Sequence, residues 1–341
     1  MIKLNFKKAL LALALSAISS SALANAWDDY KAKYLQADGA IVDTYNHNKS
    51  HSEGQSYGLM FSCFYDDKDS FDKILNWTDS NLKDKTTGLY SWTYEREGNK
   101  TGVTDKNNAT DGDLMIAYAL LRAGKKWGDK NYTKRGEEIA IRLLNLVATN
   151  YAGYNVLLPG VKGFYYDKYV IINNSYTIYP ALDELYKTTH MKQFRDLMVD
   201  GKRLLNNLQN QNLALSPDWV KLYQNSENLP AEQWPPRFSY DAIRVPLYLY
   251  WQNRRAKELQ PYKDYWSMYS PDNTPAWVDV VSKQTAPYPM SSGLKAVRDL
   301  VTGTAVFEPN IKLSEDYYNA SLSMLAYMAY RESFYLDAKL T

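Results

Sequence analysis

Three short segments of the sequence place acidic side chains beside Gly, Asn or Tyr and directly before an apolar stretch. Glu53 lies in the first segment, and Asp111 and Asp113 flank a glycine in the second. Asp241 lies in the third. Two carboxyl groups with different proton affinities can act as general acid and general base, and cleavage of a glycosidic bond requires such a pair. These segments are therefore the candidate catalytic positions.

The same carboxyl groups also fit ordinary helix capping. Ser50 and Glu53 have the spacing of a capping box, in which the glutamate accepts a hydrogen bond from a backbone amide. Asp111 or Asp113 fits the N-cap of the helix that follows. For these two segments, the residues alone leave the structural and the catalytic interpretations open.

Asp241 lies three residues before Arg244. On a helix this spacing places the two side chains on one face. An arginine so close favours the ionised carboxylate, which a general base requires. The alternative interpretation is an ion pair on the surface of the helix that takes no part in chemistry.

A competing motif overlaps the first acidic segment. Residues 54–58 (GQSYG) match the G-x-S-x-G nucleophile elbow of serine hydrolases, and Asp111, Asp167 and His190 follow in the expected order. An elbow needs a buried strand directly before its first glycine, but residues 46–53 are polar and charged. The context therefore disfavours a serine hydrolase.

Signals for metal or cofactor binding are absent from the sequence. It has three histidines and one cysteine, with no His-Glu-x-x-His motif and no glycine-rich phosphate loop. We therefore predict neither a metal nor a cofactor. Cys63 cannot form an intramolecular disulfide, and its apolar neighbours indicate a position in the core.

The composition narrows the class of partner. The 341 residues are 45% hydrophobic and 23% charged, with a formal net charge of +2, which gives no general field to attract nucleic acid. The sequence holds 9 Trp and 30 Tyr, which is more tyrosine than we expect a core to need. Because sugar rings stack on aromatic faces, this excess favours a carbohydrate ligand.

The first 26 residues have the pattern of a secretory signal peptide. Three lysines precede an apolar run over residues 9–18, which is too short to span a bilayer, and small residues follow. Cleavage is expected after Ala24 or Ala26 and leaves residues 27–341 as a single domain. We expect a periplasmic or secreted protein with no membrane insertion after processing; the alternative is an uncleaved anchor.

Apolar residues at three- and four-residue spacing predict an all-α fold of about a dozen helices. Long alternating strand patterns are scarce, and polar loops such as residues 151–179 and 224–240 are long enough to be functional. Many helices joined by such loops suit a closed helical toroid with its loops at one end. The clearest helical patterns cover residues 56–64, 113–123, 135–148, 181–186, 194–208, 243–251, 292–301 and 317–330.

Six motifs occur in one fixed order along the chain, and with them the sequence resembles glycoside hydrolase family 8. The resemblance extends from about Trp27 to about Tyr330 and implies an (α/α)6 barrel, hydrolysis within β-1,4-linked chains without a metal, and inversion at the anomeric carbon. The motifs are SEGQSYG (52–58), DGD (111–113), LLPG (157–160), NSY (174–176), SPDWV (216–220) and SYDAIR (239–244).

The resemblance assigns a role to each matching position. It implies that Glu53 is the general acid and Asp241 the general base. It places Asp111 on the sugar at the cleavage point, where it helps to distort the ring. Tyr176 and Arg244 are implied to position the catalytic water and the base.

Two further residues are implied to line the substrate cleft. They are Tyr240 and Trp92, with Trp92 as a stacking platform. The segment around Trp92 matches the family loosely, and residues 173–176 (NNSY) have asparagine where relatives often have proline. These departures concern individual sugar subsites.

The resemblance implies a cellulose-like β-1,4-glucan as substrate and a link to the machinery of bacterial cellulose synthesis. Relatives in the family also cleave xylan, chitosan or mixed-linkage glucan. Two other classes stay open: a noncatalytic polysaccharide-binding protein of the envelope, and a polysaccharide lyase on a similar toroid. The near-neutral charge is a mild argument against the acidic substrate of a lyase.

Overall fold

The computed structural model describes residues 25–96, 101–208 and 213–337. Residues 1–24, which hold most of the predicted signal peptide, lie outside this part of the chain. The described residues form eleven α-helices: α1 (Ala26–Tyr34), α2 (Ser52–Phe64), α3 (Lys68–Asn81), α4 (Thr110–Trp127), α5 (Lys130–Leu146), α6 (Tyr179–Thr189), α7 (Lys192–Leu208), α8 (Arg244–Gln252), α9 (Gln260–Ser267), α10 (Ser292–Thr302) and α11 (Tyr317–Asp337).

Helices α2, α4 and α8 are buried over most of their surface. A helix that is apolar nearly all round is expected to lie inside a protein. Helix α2 packs against α4, α4 against α6, α6 against α8, α8 against α11, and α11 against α2. These five helices are therefore a closed circle of neighbours.

Other helices bury one face only. Helix α5, for example, buries Tyr132, Ile139, Ala140 and Leu143, which recur at helical spacing, and it exposes its charged face. Helix α3 packs on α2, α5 on α4, α7 on α6 and α10 on α11. The fold is therefore rich in helices, as the periodicity predicts.

All eight predicted helical patterns coincide with helices of the structure. The bounds differ by a few residues; α5, for instance, ends at Leu146 rather than at residue 148, where a strand begins. Helices α1, α3 and α9 were not predicted. Helices α1 and α9 are held mainly by aromatic side chains, with Trp27, Tyr30 and Tyr34 on α1.

The loops between helices carry ten short antiparallel strands, which the sequence patterns did not predict. They form four small sheets, with strand orders β1-β2-β3, β4-β5, β6-β7-β8 and β9-β10. The strands are β1 (Ser50–His51), β2 (Ser91–Glu95), β3 (Gly102–Asn108), β4 (Ala148–Tyr151), β5 (Tyr154–Leu157), β6 (Tyr169–Ile172), β7 (Val220–Tyr223), β8 (Asn228–Pro230), β9 (Arg237–Phe238) and β10 (Val278–Asp279).

The buried core contains many of the aromatic residues. Fifteen tyrosines of the described residues are buried in it, so about half of the thirty tyrosines of the sequence pack in the core. Cys63 is buried, as expected. Among residues 25–96, 101–208 and 213–337, none of the helices combines the length and the hydrophobicity needed to cross a membrane.

Candidate active site

The N-terminal ends of three central helices meet at one place. Glu53 is in the first turn of α2, Asp111 is in the first turn of α4, and Arg244 is the first residue of α8. Asp241 lies in the turn that leads into α8. Helix N-termini favour negative charge, so this convergence suits a group of carboxylates.

Arg244 joins the three predicted carboxyl groups. Its Nη1 donates to Glu53 Oε2 at 2.6 Å and to Asp111 Oδ2 at 3.1 Å. Its Nη2 donates to Asp241 Oδ1 at 2.6 Å. The Arg244 side chain is only 2% exposed, so these are buried, charge-assisted contacts. We call Arg244, Glu53, Asp111 and Asp241 the arginine cluster.

Solvent reaches two carboxyl groups of the cluster better than the third. The side chains of Glu53 and Asp241 are 21% and 33% exposed, whereas Asp111 is 7% exposed. A substrate that approaches from solvent would therefore meet Glu53 and Asp241 on opposite nitrogens of one guanidinium group, with Asp111 deeper.

The structure contradicts the capping interpretations. His51 Nδ1, not the Glu53 carboxylate, accepts a hydrogen bond at the start of α2, from Gly54 N at 3.0 Å. Ala109 is the N-cap residue of α4, so neither aspartate of the second segment has that role. Asp113 instead accepts hydrogen bonds from Tyr90 N and from Asn108 Nδ2, both at 2.8 Å.

The predicted pair of Asp241 and Arg244 is confirmed, but it is not a surface ion pair. We expected Arg244 to favour the ionised carboxylate of Asp241, but the net shift in the pKa of Asp241 is upward. Burial raises the pKa of Asp241, and Arg244 only partly opposes this effect. Burial likewise raises the pKa of Asp111 to about 6, against the pull of Arg244. Carboxyl groups so close together titrate as a unit, so the cluster can exchange protons near neutral pH.

Tyrosines complete the surroundings of the cluster. The Tyr176 ring lies beside Arg244, with its centroid 5.9 Å from Cζ, and burial raises the pKa of its hydroxyl well above the usual value. Sequence reasoning did not single out the hydroxyls of Tyr57 and Tyr317 as functional. Arg244 Nη1 donates to Tyr57 Oη at 3.2 Å, and Tyr317 Oη donates to Glu53 Oε1 at 3.5 Å.

The two predicted cleft residues are exposed aromatics. Trp92 lies on β2, is 40% exposed, and donates from Nε1 to Asp105 Oδ2 at 2.9 Å. Tyr240 is 43% exposed and directly precedes Asp241, and its carbonyl accepts a hydrogen bond from Tyr318. Neither makes a described hydrogen bond to the arginine cluster, and both rings are open for stacking.

The serine-hydrolase alternative does not fit this geometry. Ser56 is buried within α2, and its hydroxyl donates to the Glu53 carbonyl at 2.6 Å. His190 is the C-cap residue of α6. Within the described ranges, no group of three or more His, Cys, Asp or Glu side chains is arranged so that it could hold a metal ion.

Comparison with known proteins places the chain among glycoside hydrolases. The family described as "Glycosyl hydrolases family 8" matches residues 2–332. The chain is 43% identical to an endoglucanase of Cellulomonas uda, over 82% of this chain and 77% of that protein. It is 39% identical to a probable endoglucanase of Novacetimonas hansenii, over 91% of this chain and 92% of that protein. The crystal structure of a family 8 endoglucanase from Klebsiella pneumoniae superposes with a TM-score of 0.88 at 42% identity, covering 90% of this chain and 99% of that one.

Proposed function

Because the chain belongs to family 8 of the glycosyl hydrolases, it is a glycosidase, and we propose that it is an endo-β-1,4-glucanase acting on cellulose-like chains. The observation that carries this proposal is the arginine cluster, in which two partly exposed carboxyl groups contact one buried guanidinium. The names of the relatives support the class of substrate.

In the proposed reaction, Glu53 donates a proton to the glycosidic oxygen as the bond to the anomeric carbon breaks. A water molecule attacks that carbon, and Asp241 takes the proton that the water loses. Glu53 ends ionised and Asp241 ends protonated, and exchange with solvent restores both. Asp111 binds the sugar at the cleavage point, and Arg244 and Tyr176 position Asp241 and the water.

The contacts with Arg244 allow the two proposed catalytic groups to be far enough apart for inversion. An inverting enzyme has room for a water between base and sugar, with carboxyl groups about 6.5 to 9.5 Å apart. Glu53 Oε2 and Asp241 Oδ1 are each 2.6 Å from different nitrogens of Arg244. Their separation is therefore at most two hydrogen bonds plus the width of a guanidinium group.

We expect hydrolysis of a β-linked chain to release the α anomer first. Proton NMR of the new reducing end, recorded before mutarotation, measures this directly. Initial release of the β anomer would mean retention of configuration. Asp241 could then not be a base that acts through water.

Trp92→Ala is expected to weaken binding of long oligosaccharides much more than binding of short ones. A stacking platform serves one sugar position, so only a chain that reaches it loses the contact. Calorimetric titration with oligosaccharides of increasing length tests this. Equal losses at every length would indicate that Trp92 has a structural role.

Product analysis on carboxymethylcellulose, xylan, chitosan and mixed-linkage glucan tests the proposed substrate. Cleavage of carboxymethylcellulose to shorter chains is expected to be fastest. Preference for another polymer would reassign the substrate within the family. Binding without cleavage of any polymer would favour a noncatalytic envelope protein, and products that absorb in the ultraviolet would indicate a lyase.

We also propose that α2, α4, α6, α8 and α11 belong to the inner layer of an (α/α)6 barrel. Their closed order of contacts supports this architecture, and their N-terminal ends carry the site. A crystal structure that shows six inner and six outer helices would test it.

Export of the chain to the periplasm or beyond is a proposal as well. Cleavage after Ala24 would keep Asn25, whose Oδ1 accepts a hydrogen bond from Asp28 N at 3.0 Å as the N-cap of α1. Cleavage after Ala26 would remove this cap, so we favour Asn25 as the mature N-terminus. The mass of the exported protein distinguishes the two sites. We also propose a role beside a cellulose-synthesising machinery. Co-purification of this protein with that machinery would test this role.

A further inference from the structure

A fourth carboxyl group lies behind the turn that carries Asp241. Asp218 Oδ1 accepts hydrogen bonds from three backbone amides, Ser239 N at 3.2 Å, Asp241 N at 3.1 Å and Ala242 N at 2.8 Å. Its Oδ2 accepts the hydroxyl of Ser239. Asp218 N in turn donates to the carbonyl of Arg237 at 2.7 Å. The turn is therefore fixed to the segment before β7 at several points.

The Asp241 side chain does not cap α8. An aspartate at the start of a helix commonly binds the free amides of the first turn with its own carboxylate. Here those amides, Ile243 N and Arg244 N, donate to the carbonyls of Ser239 at 2.9 Å and Asp241 at 3.1 Å. Asp218, from a remote segment, binds amides of the turn before them. The carboxylate of Asp241 is left to contact Arg244, 2.6 Å from its Nη2.

Asp218 also brings negative charge close to Asp241. All four described hydrogen bonds to its carboxylate are donated to it, which favours the ionised form. Burial and the charge of Asp241 raise the pKa of Asp218 to about 6, so Asp218 is mostly ionised at neutral pH. A like charge disfavours ionisation of its neighbour, so Asp218 makes Asp241 bind a proton more strongly.

The other charged groups near Asp241 belong to the arginine cluster, and Asp111 also interacts electrostatically with Asp241. Arg244 favours the ionised form of Asp241, while Glu53 disfavours it. Tyr176 and Tyr318 also lie close enough for the Asp241 charge to raise the pKa of their hydroxyls. Asp218 differs from these groups in that it contacts the backbone amides of the turn.

We propose that Asp218 is a positioning residue that anchors the Ser239–Ala242 turn and, through its charge, strengthens Asp241 as a proton acceptor. This inference rests on the proposed function, in which Asp241 is the general base. Asp218 acts through Asp241 and through the backbone of the turn.

The test is Asp218→Asn, which keeps one acceptor oxygen for the amides and removes the charge. Without the like charge, Asp241 should lose its proton at lower pH. The acidic limb of the kcat/KM profile should therefore move to lower pH by about one unit, and kcat should fall by about 3- to 10-fold because the base is weaker. Asp200→Asn is the matched control, because Asp200 is buried and also accepts a backbone amide, Asn155 N at 2.8 Å. Its pH profile should match that of the wild type.

An Asp218→Asn profile that coincides with the wild type, or that moves to higher pH, would overturn the proposal. If this variant does not fold, Ser239→Ala decides. It removes one donor to the Asp218 carboxylate, so Asp218 stays neutral to higher pH and the acidic limb should again move to lower pH. An unchanged limb in a folded Ser239→Ala protein would overturn the proposal.

A titration without substrate separates this inference from the proposed function. In protein labelled with ¹³C at the aspartate carboxyl carbons, the Asp241 signal is assigned by its loss in Asp241→Asn. It should titrate at lower pH in Asp218→Asn than in the wild type. If the wild type cleaves no polysaccharide, the proposed function fails, and this titration still reports whether Asp218 controls Asp241.

Discussion

Glu53→Gln and Asp241→Asn should each lower kcat by at least about 10²-fold, in the range expected for the loss of general acid or general base catalysis. Each amide keeps the size of the carboxyl group and an oxygen that can accept from Arg244, so the fold should survive. Neither amide can donate or take the proton at the cleavage point. Initial rates on carboxymethylcellulose, with circular dichroism as the measure of folding, give the comparison.

Asp113→Asn is the matched control for both variants. Asp113 is a buried carboxyl group near the cluster, and it accepts from Tyr90 N and Asn108 Nδ2 rather than from Arg244. Burial raises its pKa to about 8, so at pH 7 it is mostly neutral already, and an amide changes its charge little. Turnover should stay near that of the wild type. Near-normal turnover in a folded Glu53→Gln or Asp241→Asn protein would refute the role of that residue.

The local part of the site could be predicted from the sequence. Glu53, Asp111 and Asp241 lie at helix starts as their neighbours indicate, and the pairing of Asp241 with Arg244 follows from a spacing of three. The contacts of Arg244 with Glu53 and Asp111 join residues 191 and 133 positions apart. No local pattern contains them, because the packing of α2, α4 and α8 creates them.

The capping predictions were wrong because other groups bind the free amides at these helix starts. Thr110 N, at the start of α4, donates to the carbonyl of Pro159 at 2.9 Å, and His51 caps α2. Local rules assign such amides to the nearest Ser, Thr or Asp. At this site the carboxylates of Glu53 and Asp111 instead accept hydrogen bonds from Arg244.

Helices α1 and α9 were missed because the excess of tyrosine was assigned to ligand binding rather than to the core. Tyr30, Tyr34, Tyr262 and Tyr265 are all buried and take the positions that Leu or Ile would fill. Some find a partner for the hydroxyl, as Tyr30 does with Ser321 at 2.9 Å. Counting tyrosine as apolar at helical spacing would have predicted α1 from Trp27, Tyr30 and Tyr34.

Replacement of Arg244 by methionine should destabilise the protein by about 3 to 5 kcal/mol at pH 7, because it leaves buried carboxyl groups without their shared cation. Urea denaturation measures the loss. The deficit should shrink toward pH 5, because Asp111 and Asp241, whose pKa values burial raises and which lose the opposing arginine, take up protons and no longer repel each other. Arg203→Met is the control. Arg203 pairs with Asp200 but is 53% exposed, so its loss should cost about 0 to 1 kcal/mol.

Arg244→Lys separates the charge of the arginine from its geometry. A lysine keeps the positive charge but has one nitrogen, so it cannot hold Glu53 and Asp241 on two different donors as Nη1 and Nη2 do. We expect it to recover most of the stability lost in the methionine variant while kcat stays at least about 10-fold below the wild type, since the two carboxyl groups lose their fixed separation. Full turnover in Arg244→Lys would mean that charge alone suffices. A methionine variant as stable as the wild type at both pH values would mean that the three carboxyl groups do not depend on Arg244 for their burial.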